Sequence, residues 1–220
     1  MLRDYEISII YKIGEDMRQI YYIGGSPCCG KSTIAEMIAK KYQFQYFKVD
    51  DFLETYITKG AKLGKPSLSK IAGMSLDEIW LRDPVVQSFE EIEIYQEIFE
   101  FVLEDLNNLS NKMPIISEGA AFLPKLMNDI GVRKSNYICV VPTNEFQYDK
   151  YSQRSWVMNY LEGCSNKKLA FENWMNRDYL FASSVLKDAS QLEYPTLIVD
   201  GMKSIDENFK AVEKAFNLSN

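Results

Sequence analysis

Two hydrophobic periods alternate along this 220-residue chain, one of about two residues and one of three to four. Residues 5–12, YEISIIYK, and 17–23, MRQIYYI, are β-branched and aromatic runs around the turn IGED, and they predict two strands. Ile34, Ile38 and Tyr42 then recur four apart, which predicts a helix over 31–42. FQYFKV, 44–49, reads as the next strand and stops at Asp50–Asp51. From 52 to 83 the pattern fades: TKGAKLGKPSLSKIAGMS is rich in Gly, Ser and Lys and predicts loop or short helix. At Asp83–Pro84 a helix begins, with Asp as cap and Pro in the first turn. Val85, Phe89, Ile92, Phe99, Val102, Leu106 and Leu109 follow at helical spacing. Glu90, Glu91, Glu93, Glu97, Glu100 and Glu104 lie on the opposite side, expected as a solvated face.

Short apolar runs return at 113–117, 136–141 and 196–200, separated by helical stretches at 122–130, 144–161, 168–190 and 204–217. The last opens with a capping box, Ser204 and Glu207. Strands alternating with helices predict parallel β-α-β units, hence an α/β fold with helices on both faces of the sheet. The 5–12 strand is expected as an antiparallel addition at the sheet's edge. No repeat and no linker divides the chain, so one domain over 1–220 is expected.

Composition narrows the function. A net charge of −6 and a pI near 4.9 argue against a nucleic-acid partner, because phosphate backbones are held mainly by Lys and Arg. No apolar run approaches the ~18 residues of a membrane span. The four cysteines lack metal spacing, and the charged start MLRDYEIS has no signal-peptide character, so a reduced, cytoplasmic protein is expected. There is no histidine. A general base must therefore be a carboxylate, a lysine or a thiolate.

The sharpest motif is IGGSPCCGKST, residues 23–33. Gly25, four residues, then Gly30–Lys31–Ser32 is the spacing of a loop that cradles phosphates between a strand and a helix. Gly25, Ser26, Cys28, Cys29, Gly30 and Thr33 would offer backbone N–H groups at a helix N-terminus, with Pro27 shaping the same nucleotide-binding turn. Lys31 would reach the β- and γ-phosphates, and the Ser32 hydroxyl would ligate Mg²⁺. ATP and Mg²⁺ are the expected cofactors. A guanine-nucleotide switch is disfavoured, since Asn166–Lys167–Lys168–Leu169 has leucine where a base-reading aspartate belongs.

With acidic Asp50–Asp51 after the next strand, an insertion, a strand ending in Glu118–Gly119 and late arginines, the sequence resembles the P-loop small-molecule kinases. These include nucleoside monophosphate, shikimate and gluconate kinases. The resemblance implies a three-layer fold with a five-stranded parallel core, an acceptor-binding insertion at about 52–110 and a lid at about 144–180. It implies that Asp50 or Asp51 contacts the acceptor hydroxyl or the Mg²⁺ shell, Asp50 being preferred as base; Asp50 would equally serve as a helix cap. Glu118 stands as an outer Mg²⁺ contact, an acceptor contact or a structural ion pair. Arg154 is placed in the lid, over the transferring phosphate, with Lys150 one turn away on the same face. Arg177 is a second nucleotide contact or a partner of Asp178 or Glu172. Arg82, with Trp80, Lys62 and Lys65, belongs to the acceptor region, where a positive pocket would suit a phosphate or carboxylate.

The function expected is phosphoryl transfer to a small-molecule acceptor. A regulatory protein that binds ATP without transfer would keep Lys31 and Ser32 and need neither Asp50 nor Arg154. An ATPase driving motion is disfavoured, because no strand ends in Asp-Glu. Cys28 and Cys29 are incidental loop residues or a redox pair.

Overall fold

The computed structural model describes residues 19–109 and 112–218. The expected edge strand over 5–12 lies outside the described residues, and every strand pairing within them is parallel. The strand expected over 17–23 runs Ile20–Gly25 (β1), straight into the glycine-rich loop. Next come α1 (Lys31–Tyr42), β2 (Gln45–Lys48), a 3-10 turn (Val49–Phe52) and the helices α2 (Leu53–Lys62), α3 (Pro66–Ala72) and α4 (Leu76–Trp80). The long α5 (Pro84–Asn108) leads to β3 (Ile115–Glu118), α6 (Pro124–Asp129) and β4 (Tyr137–Pro142). After α7 (Asn144–Ser152) and α8 (Ser155–Tyr160), a second long helix, α9 (Lys167–Gln191), precedes β5 (Thr196–Val199) and α10 (Ile205–Ala215).

The five strands are ordered β2-β3-β1-β4-β5, so β1 is central. Side chains alternate across each strand, and both faces are apolar because helices cover both. On one face Tyr22, Ile115 and Tyr137 join Phe99 and Val102 of α5 and Phe181 and Val185 of α9. On the other, Tyr21, Ile23, Ile116 and Val140 meet Ile34 and Ile38 of α1 and Phe209 and Val212 of α10. Fully burying a side chain such as Ile34 or Ile38 contributes roughly 1.5–3 kcal/mol. The register pairs Ile23 with Glu118 and Gly25 with Val140. The carboxyl ends of the three central strands therefore open together, where ligands of such sheets bind.

Of the loop or short helix expected over 52–83, short helices form: α2, α3 and α4 all fall within it. A Cβ on Gly60 would sit 2.0 Å from Leu68 Cδ1, so this glycine lets α2 and α3 approach rather than breaking a helix. Pro66 occupies the first turn of α3, and Ser75 with Glu78 forms a capping box on α4. The acidic face of α5 is also not simply solvated. Glu97 accepts from the Ser67 and Leu68 N–H groups at 3.0 Å, satisfying orphan donors at the start of α3. Glu104 and Glu100 pair with Lys59 and Lys65 at 2.6 and 2.9 Å. Lys59, Lys65 and Lys70 thus pair with glutamates of α5, which neither segment shows alone.

A smaller cluster joins Trp80, Tyr151, Val157, Leu161, Cys164, Phe171 and Trp174, with Cys28 of the loop packed against it. It fastens α7 and α8 onto α4 and α9, above the carboxyl ends of the strands. Among the described residues no helix is long and apolar enough to cross a membrane.

Candidate functional site

Residues Ser26–Gly30 turn the chain from β1 into α1. Gly25 has φ 111°, and a Cβ there would lie 1.9 Å from the Val140 carbonyl oxygen. Gly30, the cap residue of α1, has φ 82°, and Cys28 takes φ 64° without being glycine. A non-glycine residue in the left-handed region costs energy and persists only where its surroundings hold it. Here the Ser26 N–H donates to Val140 O at 3.2 Å, and the Ser26 hydroxyl lies 3.5 Å from the Asp178 carbonyl. Cys29 Sγ sits 3.1 Å from Ser26 O and 3.2 Å from Val140 O. Burial pushes the Cys28 thiol up to about 11 and raises Cys29 as well, so neither is a thiolate at neutral pH. These two residues are packing elements of the loop.

Lys31 is buried, and its Nζ donates to Ser26 O at 2.6 Å. Burial works against its charge, but the carboxylates of Glu118 and Asp50 favour it, and its pKa is raised. It is therefore a fixed cation at the start of α1, where the helix's first N–H groups have no intrahelical acceptors. Thr33 follows on the exposed side of the same turn.

Ser32 Oγ donates to Glu118 Oε1 at 2.9 Å, and the Tyr46 hydroxyl donates to the same oxygen at 3.0 Å. Glu118 is 1% exposed, and its Oε2 has no hydrogen-bond partner. Burial raises its pKa, Lys31 pulls the other way, and Asp50 adds to the rise. Gly119 is there for clearance: a Cβ would stand 2.6 Å from Val49 Cβ, while its N–H donates to Ile23 O at 3.2 Å.

Asp50 and Asp51 lie in the 3-10 turn beyond β2, both exposed. Asp51 is spent on Lys48 at 3.2 Å. Asp50 caps no helix by its side chain: α2 begins after Phe52 without a side-chain cap. Its charge raises the pKa values of Lys31, Glu118, Glu91 and Tyr95.

Of the arginines, Arg154 caps α8, with its guanidinium 4.9 Å above the Tyr151 ring and 5.9 Å from the Trp156 ring. Its charge acts on Cys28 of the loop, favouring the thiolate against burial. Lys150 is turned to Asp149 at 3.4 Å and to the Phe146 ring, away from that role. Arg177 is buried: Nε and Nη2 reach Asp178 Oδ1 at 2.9 and 2.5 Å, Nε lies 3.2 Å from Glu91 Oε2, and the guanidinium covers Trp80 at 4.7 Å. Arg82 is held by Glu90 at 2.6 Å, and Lys65 by Glu100. Two of the cations expected in the acceptor region, Arg82 and Lys65, are thus each paired with a glutamate of α5.

Tyr95 escaped the sequence reading; Glu91, expected on a solvated face, is buried, and Asp178, expected with Glu172 as an alternative partner of Arg177, is its partner. Glu91 shares a helical stripe with Ser88, Tyr95 and Ile98, all buried, so its phase was the available signal. Asn173, also unforeseen, donates to Trp80 O and Arg82 O at 2.9 and 3.1 Å, and Gln87 reaches the same Arg82 carbonyl. Together they fix the turn that carries Trp80.

No family model and no curated protein sequence matches the chain. Among solved structures it is similar to a gluconokinase from Sinorhizobium meliloti 1021, at 13% identity and a TM-score of 0.48, over 91% of this chain and 92% of that one. It is also similar to TT1252 from Thermus thermophilus, at 14% identity and a TM-score of 0.49, over 91% and 97% of the two chains. At such identity function does not pass from either protein to this one, and the residues of the site must decide it.

Proposed function

We propose that the chain is an ATP- and Mg²⁺-dependent phosphotransferase acting on the hydroxyl of a small molecule. The observation that carries this reading is the 2.9 Å hydrogen bond from Ser32 to Glu118, beside buried Lys31 at the start of α1. A hydroxyl oriented by a strand-end carboxylate, next to a fixed cation and free helix amides, suits a hydrated divalent ion on a polyphosphate. The second oxygen of Glu118, buried and without a partner, fits the same ion's water shell.

In this reading the amides of Gly25–Thr33 and Lys31 would hold the β- and γ-phosphates, and Ser32 would ligate Mg²⁺ with Glu118 behind it. The metal, when bound, neutralises charge on the phosphate oxygens. Asp50 orients the acceptor hydroxyl and takes its proton, a role that falls to a carboxylate in a chain without histidine. Arg154 stabilises charge on the phosphoryl group in transit.

The test is ADP release by the purified protein with Mg·ATP, alone and with a panel of alcohols, using Lys31→Ala as the blank. Release that depends on an acceptor and vanishes in Lys31→Ala supports the reading. Equal release without any acceptor makes the protein an ATPase. Nucleotide binding that no acceptor converts to turnover points to a regulatory protein.

A further inference from the structure

Glu118 ends β3 with its carboxylate buried, and both hydrogen bonds that the structure gives it fall on one oxygen. Oε1 receives Ser32 Oγ at 2.9 Å and the Tyr46 hydroxyl at 3.0 Å, while Oε2, among the described residues, has no partner. The last torsion of a glutamate is soft, so one hydrogen bond does not fix the plane of its carboxylate. Hydrogens prefer to approach such an oxygen near that plane, so two donors on Oε1 define it where one would leave it free to turn.

The second donor comes from the neighbouring strand. The register pairs Lys48 with Glu118 and Tyr46 with Ile116, which sets Tyr46 on the same face of the sheet as Glu118, two residues back along β2. Its ring packs against the apolar cluster that contains Ile34, Ile38 and Ile116. A tyrosine has only two torsions to fix, so a ring seated in that cluster delivers its hydroxyl on a rigid arm. Packing there requires the ring and not the hydroxyl, and the hydroxyl is spent on Glu118. Ser32 completes the arrangement. A hydroxyl has one hydrogen and two lone pairs, so with its hydrogen committed to Oε1 Ser32 keeps its lone pairs for a cation. Their direction follows from where Oε1 is held, and so from Tyr46.

We propose that Tyr46 is a positioning residue for the divalent cation: its hydroxyl fixes the Glu118 carboxylate, which in turn presents the Ser32 oxygen to Mg²⁺. The proposal rests on the phosphotransferase reading of this site and adds to it a residue that acts only through Glu118 and Ser32. Partners that stand behind a metal ligand typically carry about 10–100-fold in metal affinity.

The experiment uses the whole protein, a non-hydrolysable ATP analogue, and three forms: wild type, Tyr46→Phe and Tyr42→Phe. Calorimetry measures nucleotide affinity with Mg²⁺ and with EDTA, and electron paramagnetic resonance counts Mn²⁺ bound in place of Mg²⁺. Tyr46→Phe should cut the gain in affinity that the metal confers by about 10–100-fold, with the EDTA value staying within about twofold of wild type. Tyr42→Phe is the matched control: it removes a hydroxyl that donates to the buried Glu213 at 2.8 Å, at the far end of α1, and should leave the gain unchanged. An undiminished gain in Tyr46→Phe overturns the proposal. So does a loss equal with metal and with EDTA, which is what damage to the loop would give, or the same loss of gain in Tyr42→Phe. ADP release from ATP tests the underlying reading separately. A selective loss in Tyr46→Phe, in a protein that transfers phosphate to no acceptor, sinks the phosphotransferase and leaves the positioning role standing. Acceptor-dependent turnover with an undiminished gain in Tyr46→Phe does the reverse, and a wild type whose affinity ignores the metal overturns both.

Discussion

Replacing Glu91 by Gln should stabilise the protein at pH 8, although it removes one member of a buried ion pair. The Glu91 carboxyl is pushed up to about 7, first by burial and then by the fields of Asp178 and Asp50, against the pull of Arg177. Between the ordinary 4.5 and about 7, the folded state keeps a proton that the unfolded state has released. Stability therefore falls as pH rises through this window, and the loss is complete above it. At about 1.4 kcal/mol per pH unit, that gap corresponds to a loss of about 3 kcal/mol. Asp178, raised by burial too, pushes in the same direction. Gln reproduces the protonated form and does not titrate, so the variant should match the wild type near pH 4.5 and exceed it by up to about 3 kcal/mol at pH 8. Urea denaturation followed by tryptophan fluorescence at the two pH values measures this; with a urea slope of about 1–3 kcal/mol/M, the midpoint moves up by roughly 1–3 M. The competing expectation is that breaking a buried pair costs about 3–5 kcal/mol. A variant less stable than the wild type at pH 8 would mean that Glu91 is held ionised by Arg177, and the reasoning fails.

Three further changes separate chemistry from framework. Asp50→Asn should lower acceptor-dependent kcat by about 10²–10⁴-fold, the usual worth of a general base, while nucleotide affinity measured by calorimetry stays within about twofold; unchanged kcat removes Asp50 from the reaction. Ser32→Ala should erase the part of nucleotide affinity that depends on Mg²⁺, seen by titrating nucleotide with the metal and with EDTA, since Glu118 would then orient no ligand. Gly60→Ala should cost about 1–3 kcal/mol by overpacking, because the new methyl would lie 2.0 Å from Leu68 Cδ1; a neutral effect in thermal melts would show that α2 and α3 can slide apart freely.

What the sequence made legible follows the range of the forces involved. The sheet was readable because a strand covered on both faces is nearly all apolar, as in NYICVV, where every residue of β4 is buried; edge strand β5 alternates exposed and buried but still carries the apolar run LIV. The loop, Lys31 and Ser32 were readable because the turn, its glycines and the helix start fall within nine residues of each other. The 52–83 segment was legible only as loop or short helix, because its helices owe their ends to distant partners: Glu97 of α5 satisfies the first N–H groups of α3, and Leu68 fills the space above Gly60. Composition leaves the two alternatives open there, and tertiary contact decides for helix.

The same distinction explains the arginines. Arg154 and Arg177 look alike in sequence, each a late cation near aromatic residues, and only burial tells them apart. Arg177 has its charge consumed by Asp178 and Glu91, and it holds Trp80 in place. Arg154 meets only the rings of Tyr151 and Trp156 among the contacts that the structure gives it, and its charge acts on Cys28 of the loop. An aromatic face positions a guanidinium without neutralising it. Arg154 therefore keeps a charge that its aromatic neighbours do not neutralise, whereas Arg177 spends its own on Asp178 and Glu91.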